Sequence, residues 1–163
     1  MADEAPATEM PGEVPAIDPE QFATLIGNAT DEQLNEGLAM NRDLILGEIF
    51  RRMPERFDPT RAANVDAVIE WRISDRPGGG HDTFQIVIRG GACTLAEGAN
   101  EEPRVIYEIR PLDFLRLISG NASGPQLFLV GRLKIRGDLF LAARVQSWFT
   151  IPRAQRTDPA PTQ

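Results

Sequence analysis

The chain has 163 residues, of which 42% are hydrophobic and 25% charged. That size and composition fit one globular domain with a core of its own and exclude general disorder. The net charge is −7, but residues 1–41 hold nine acids and no Lys or Arg, leaving 15 acids against 17 bases in the rest, so the strongly basic footprint of a nucleic-acid binder is missing.

No apolar run approaches the roughly 20 residues of a membrane-spanning helix. The N-terminus carries Asp3 and Glu4 where a secretory leader would be basic. Cys93 is the only cysteine, which suits a reducing cytoplasm. Lys134 is the only lysine, an arginine bias that reads as genome composition and suits a bacterial source.

Residues 1–17 are rich in Ala, Pro and Glu with no apolar period and read as a disordered acidic segment. Asp18-Pro19-Glu20-Gln21 reads as a helix start, with Asp18 as cap, Pro19 at the first helical position and Gln21 reaching back. Phe22, Leu25 and Ile26 give this short helix an apolar face. Thr30-Asp31-Glu32-Gln33 repeats the start signal and predicts a long helix to about Met53, with Leu34, Leu38, Ile45, Ile49 and Met53 facing the core. Arg51 and Arg52 suit its last turn, and Pro54 ends it.

The period then becomes two. Val65, Ala67, Ile69, Trp71 and Ile73 alternate with mostly polar neighbours, as in a half-buried strand. Pro77-Gly78-Gly79-Gly80 is a loop, Phe84, Ile86 and Ile88 form a second strand, and Gly90-Gly91 turns into a short one near Thr94 and Leu95. Val105, Tyr107 and Ile109 alternate again. Four successive strands predict an antiparallel meander with one wet face. Pro111 opens a helix that Gly120 ends. A short apolar helix follows at Gln126–Val130, then a strand with Leu133 and Ile135, then a helix striped by Leu141, Val145, Trp148 and Phe149. Residues 152–163 read as a flexible tail, which leaves 18–151 as one domain. The fold class is α+β: a five-stranded, mostly antiparallel sheet covered on one face by helices.

Chemical groups are sparse. His81, the only histidine, cannot build a triad or a multi-histidine metal site. Cys93 has no adjacent base and reads as an inert, buried thiol. The three glycines lack the Lys-Ser/Thr of a phosphate loop. Arg51, Arg52, Arg56 and Arg61 form a basic stretch suited to transient contact with an anionic membrane surface. No catalytic residue, metal or cofactor is expected. The large apolar residues serve either a packed core or the lining of a ligand cavity.

One segment carries a resemblance. Asp113-Phe114, Leu117, Gly120, Pro125 and Phe128 lead into the run Gly131-Arg-Leu-Lys-Ile-Arg-Gly137-Asp138-Leu139, which continues to Ala142. With Ile49–Phe57, this resembles the sterol carrier protein type-two domain family over about residues 30–150. The resemblance implies a five-stranded sheet under helices with an apolar tunnel between them. It also implies a protein that binds a sterol, fatty acid, acyl-CoA or phospholipid without transforming it.

The leading expectation is therefore a cytoplasmic, non-enzymatic lipid carrier. The candidate ligand-lining residues are Trp71, Ile73, Phe84, Ile86, Phe114, Leu117, Phe128, Leu133, Ile135, Val145 and Trp148, because they alternate inward on strands or lie on helix stripes. The alternative is a cavity-poor interaction or accessory module of a lipid-metabolising complex, for which a homodimer is one expected form. An enzyme acting on a lipid thioester through Cys93 or His81 is a remote third.

Overall fold

The computed structural model describes residues 18–96 and 101–149. The acidic segment 1–17 and the tail 152–163 lie outside the described residues. Helix α1 (Pro19–Asn28) starts on Pro19, but Asp18 makes no side-chain cap bond although it sits at the cap position. Helix α2 (Asp31–Arg52) has the full capping box: Thr30 Oγ1 accepts from the Gln33 amide at 3.1 Å, and the Gln33 side chain accepts from the Thr30 amide at 2.9 Å. Two orphan amides of the first turn are thereby satisfied. Arg51 and Arg52 close its last turn.

Helix α2 is not straight. Asn41, at φ −140° and ψ 37°, breaks the helical geometry. The buried residues Leu38, Arg42, Leu46 and Phe50 recur every four positions through the kink, and this corrects the sequence expectation, although Ile49 and Met53 still pack against the core. Past Asn41 the deepest residues are Leu46 and Phe50, each 0% exposed, whereas Ile45, Ile49 and Met53 are only half-buried. Unlike most sharp kinks, this one has no Pro or Gly at its vertex to announce it.

A 3-10 turn (Met53–Arg56) leads toward the sheet, which comprises β1 (Ala67–Ile73), β2 (Asp82–Arg89), β3 (Ala92–Ala96), β4 (Val105–Ile109) and β5 (Leu133–Gly137). Helices α3 (Pro111–Ile118) and α4 (Gly124–Leu129) intervene before β5, and α5 (Leu139–Val145) with a 3-10 turn (Gln146–Trp148) follows it. The strand order is β3-β2-β1-β4-β5, so the sheet is five-stranded and mostly antiparallel, with helices packed over it. The expected meander is corrected at one point. Strand β4 crosses to the far side of β1 and pairs with it in parallel, Trp71 opposite Tyr107. Its three inward residues Val105, Tyr107 and Ile109 are all buried, which suits an interior strand and not an extension beyond β3.

The outer face is also drier than expected. Val68, Glu70, Gln85 and Val87 are buried there. Gln85 donates to the Glu70 carboxylate at 2.9 Å and to the Glu101 carbonyl at 2.7 Å, so the stretch leading into β4 folds over β1 and β2. Burial of Glu70 is compensated by this bond and by Arg72 at 2.6 Å, as a buried carboxylate requires.

On the inner face, Phe50 of α2 stacks on Phe84 at 4.1 Å and on Phe114 at 5.1 Å between ring centres. Trp71 in turn contacts Tyr107 at 4.5 Å and Phe114 at 5.3 Å. These rings join α2, α3 and the three central strands. Tyr107 donates its hydroxyl to the Ala142 carbonyl at 2.7 Å, which fixes α5 over β4. Arg42, the first residue past the kink, is 8% exposed. It donates to Asp82 at 2.9 Å and to the carbonyls of Ile73 and Ser74, each at 2.9 Å.

Gly131 and Gly137 flank β5 with φ of +82° and +96°, which favour glycine. Their surroundings differ. A Cβ on Gly131 meets open space, whereas one on Gly137 would lie 2.3 Å from the Arg104 carbonyl oxygen. Gly131→Ala should therefore cost about 1–2 kcal/mol from the left-handed backbone alone. Gly137→Ala should cost more, about 3–4 kcal/mol, because the backbones must also separate. Urea unfolding of the two variants measures the difference, and equal losses would remove the Arg104 collision from the account. Arg42→Leu should cost about 2–4 kcal/mol by the same measurement, since it strips charge-assisted bonds from buried acceptors. Arg42→Lys should recover only part of that, because an ammonium cannot reproduce the planar fork.

Candidate functional site

Between the helices and the sheet lies a cavity of about 790 Å³. Its floor is Ile69 and Trp71 of β1 and Ile86 of β2. Leu115, Leu117 and Ile118 of α3 form one side, and Val145 and Phe149 close the end next to α5. The roof is Phe22, Leu25 and Ile26 of α1 with Leu34, Gly37 and Leu38 of α2, continued past the kink by Ile45, Ile49 and Met53. Nothing lies within 4 Å of a Cβ built on Gly37, so this helical glycine widens the cavity by the volume of a side chain.

The lining is mostly apolar, and its polar members are Asn28, Gln33, Glu48, Arg52, Glu55, Arg56 and Gln146. Glu48 and Arg52 form an ion pair, and Arg51 reaches the same carboxylate. The hydrogen bond from Arg52 is the main cause that holds the Glu48 carboxyl below its ordinary range, against the opposing effect of burial. Arg61 pairs with Asp58 at 3.5 Å. Much of the basic stretch noted in the sequence thus presents local ion pairs, and two of its members, Arg52 and Arg56, stand at the cavity.

The residues nominated from sequence fall into three places. Trp71, Ile86, Leu117 and Val145 line the cavity. Ile73, Phe114, Leu133 and Trp148 are buried in the adjoining core, and Phe84 and Ile135 pack against it half-buried. Phe128 is 45% exposed on α4. The roof residues were not nominated. Their signals were the two successive helix starts and the apolar face of α1, which show that helices exist there but not what they cover.

Among the described residues, the lining holds no Ser, Thr, Cys, Lys, His or Tyr. Burial pushes the Cys93 thiol up to about 12. His81 lies in the β1–β2 loop beside Asp82. Among the described residues no group of three or more His, Cys, Asp or Glu is placed to hold a metal ion. Also among them, no helix is long and apolar enough to cross a membrane. The arrangement can enclose an apolar molecule and meet a polar end at the rim.

Comparison with known proteins agrees with this geometry. Human sterol carrier protein 2 is 23% identical over 105 residues, 64% of this chain and 19% of that protein. The chain thus spans about a fifth of the length of that relative. Mouse peroxisomal multifunctional enzyme type 2 is 30% identical over 113 residues, 69% of this chain and 15% of its own length. The oleate-induced peroxisomal protein POX18 of Candida maltosa is 26% identical over 97 residues, 60% of this chain and 72% of that one. The solution structure of the sterol carrier protein domain 2 of Helicoverpa armigera superposes with a TM-score of 0.53 at 22% identity, covering 64% of this chain and 82% of that one. This likeness supports the fold. The model of the SCP-2 sterol transfer family matches residues 46–150, well over half the sequence, and the chain therefore belongs to that family.

Proposed function

We propose that the chain is a non-enzymatic carrier that holds a single amphiphilic lipid in the cavity between helices and sheet. The observation that carries this reading is the 790 Å³ apolar space with its polar residues at the rim. That volume lies within the range of about 300–1,000 Å³ usual for small-molecule sites. The ligand class is a sterol, fatty acid, acyl-CoA or phospholipid, with its hydrocarbon against Trp71, Ile86, Leu117 and Val145 and its head near Arg52 and Arg56. Ile73, Phe84, Phe114, Leu133, Ile135 and Trp148 support that wall from behind. Phe128 stands apart from it.

The energetics suit carriage. Enclosing a 16-carbon chain removes about 15 methylenes from water, on the order of 12 kcal/mol at about 0.8 kcal/mol each. A bilayer gives the lipid a similar gain, so exchange between membrane and protein is close to thermoneutral. No base, nucleophile or metal is needed. Transient contact of the Arg52–Arg56 rim with an anionic membrane surface would place the head close to its destination. The lone cysteine suits action in a reducing cytoplasm. A cavity-poor interaction module, the alternative reading, gains no support from a space of this size.

Gly37→Leu tests the reading directly. The new side chain points into open space in a helical backbone, so it should keep or raise stability by up to about 1 kcal/mol. It should also weaken uptake of a fluorescent fatty acid by about tenfold or more by filling volume the ligand needs. Unchanged affinity in a folded Gly37→Leu protein would remove the cavity as the binding site. Native mass spectrometry with lipid extraction would identify the natural cargo.

The thiol offers a second check. With Cys93 pushed up to about 12 by burial, almost no thiolate exists at pH 8. A thiol reagent should label Cys93 only after unfolding, and Cys93→Ala should bind lipid as the parent does. Rapid labelling of the native protein, or an acyl-CoA hydrolysis that Cys93→Ala abolishes, would shift the reading to an enzyme.

A further inference from the structure

Resting on the carrier reading, we infer that residues 19–40 form a movable cover hinged at Asn41, and that its outward swing is the route by which lipid enters the cavity. The hinge is local and visible. Asn41 departs from helical geometry at φ −140° and ψ 37°. The next residue is the most heavily anchored polar side chain in α2. Arg42 holds Asp82 at 2.9 Å and the carbonyls of Ile73 and Ser74, each at 2.9 Å. Everything C-terminal to the kink is thereby fixed to the end of β1, and Phe50 fixes it again through its ring stacks. A rigid segment begins where the helical bonding is interrupted, which is where a hinge has to absorb its backbone rotation.

The segment before the kink is attached differently. Of its described side chains only Ala23, Ile26 and Leu38 are buried. Ile26 and Leu38 meet Leu115 in a small buried cluster of their own, against which Phe22, Leu34, Ile45 and Ile49 pack half-buried. Two further ties are the Asn121 side-chain amide, donating to the Ala23 carbonyl at 2.9 Å, and an ion pair between Asp31 and Arg116. Beneath it are two voids. One is the lipid cavity, which separates Phe22, Leu34 and Leu38 from the sheet residues Ile69, Trp71 and Ile86. The other is a gap of about 220 Å³ between Asn35, Leu38, Ala39 and Arg42 on one side and Asp75, Pro77, Arg110, Pro111 and Leu112 on the other. Local opening free energy falls with the number of buried apolar contacts a segment makes. The cover therefore opens at a cost well below that of global unfolding.

The cover is also separable in another respect. The family match begins at residue 46, so α1 and the first half of α2 stand outside the portion of the chain that the family model describes. The matched portion supplies the floor, the sides and the Ile49–Met53 part of the helical wall, and the residues before it supply the rest of the roof.

A reversible lock tests the inference. A Cβ on Gly27 would lie 3.5 Å from Asn121 Cγ, so cysteines at these two positions are within bridging reach. The variant is Gly27→Cys with Asn121→Cys in a Cys93→Ser background, in the full chain. The readout is the displacement rate of a bound fluorescent fatty acid by unlabelled fatty acid. Oxidation should slow displacement by about tenfold or more, because release must wait for an opening the crosslink forbids. Reduction should restore a rate at or above that of the Cys93→Ser parent, since Asn121→Cys also removes the bond to the Ala23 carbonyl, and equilibrium affinity should stay within about twofold. Equal rates in the oxidised and reduced forms would overturn the moving cover while leaving the carrier reading intact. Absence of binding in the reduced variant and parent alike would overturn the carrier reading, and the cover with it.

Hydrogen exchange on the unaltered protein is independent of whether the crosslink forms. Amides of residues 22–38 should exchange about 100-fold faster than those of 46–52 and β1. Uniform protection across α2 would also overturn the hinge.

Discussion

The second half of α2 is fixed at both ends, by Arg42 against the end of β1 and by Phe50 against Phe84 and Phe114. The rest of the architecture depends on that double attachment. It holds one helix at a set height over the sheet, with α3 adding Phe114 to the ring cluster and α5 tied to β4 through Tyr107. A buried arginine is costly unless its donors are met, and here backbone carbonyls and Asp82 meet them. The polar anchor and the aromatic anchor are complementary. The first sets where α2 crosses the β1–β2 end of the sheet, and the second sets how deeply it sits.

The cavity follows from where this tight packing stops. Beyond the ring cluster the sheet continues as Ile69 and Ile86, and the cavity over them is bounded by α2 on both sides of the kink, by Leu34 and Leu38 before it and by Ile45 and Ile49 after it, with Met53 just past the helix end. The roof rests on α3 through Leu115 and leaves the floor uncovered. The same kind of residue thus serves two purposes: Trp71 touches Phe114 on one side and bounds the cavity on another. The chain belongs to the SCP-2 sterol transfer family, and under the carrier reading a lipid would supply the packing that side chains do not.

Much of this organisation was legible in the sequence. Period-two alternation located the strands, and Thr30 with Gln33 marked the start of α2 by a mechanism the bonds reproduce. What escaped was what depends on three-dimensional closure. The parallel pairing of β4 with β1 leaves no mark in β4 itself, because Val105, Tyr107 and Ile109 alternate alike beside either neighbour. Asn41 carries no helix-breaking chemistry strong enough to announce a kink. Inward alternation also cannot separate Trp71, which bounds a void, from Ile73 two residues on, which is packed on every side. Phe128 shows the limit of short segments: α4 has six residues, too few for a helical period to say which side faces water.

The crossing of β4 over to β1 has a consequence for the order in which the protein assembles as it leaves the ribosome. Strands β1, β2 and β3 are neighbours in sequence and can pair as they emerge, but β1 keeps an open edge until β4, more than thirty residues later, arrives beside it. Contacts this distant along the chain are slow to form. Helices α1 and α2 precede their docking surface by a long stretch of chain. Ile26 and Leu38 meet Leu115, and Ala23 meets Asn121, so the N-terminal helices have no surface to settle on until α3 and the turn after it exist. The N-terminal helices are thus made well before the surface they dock on.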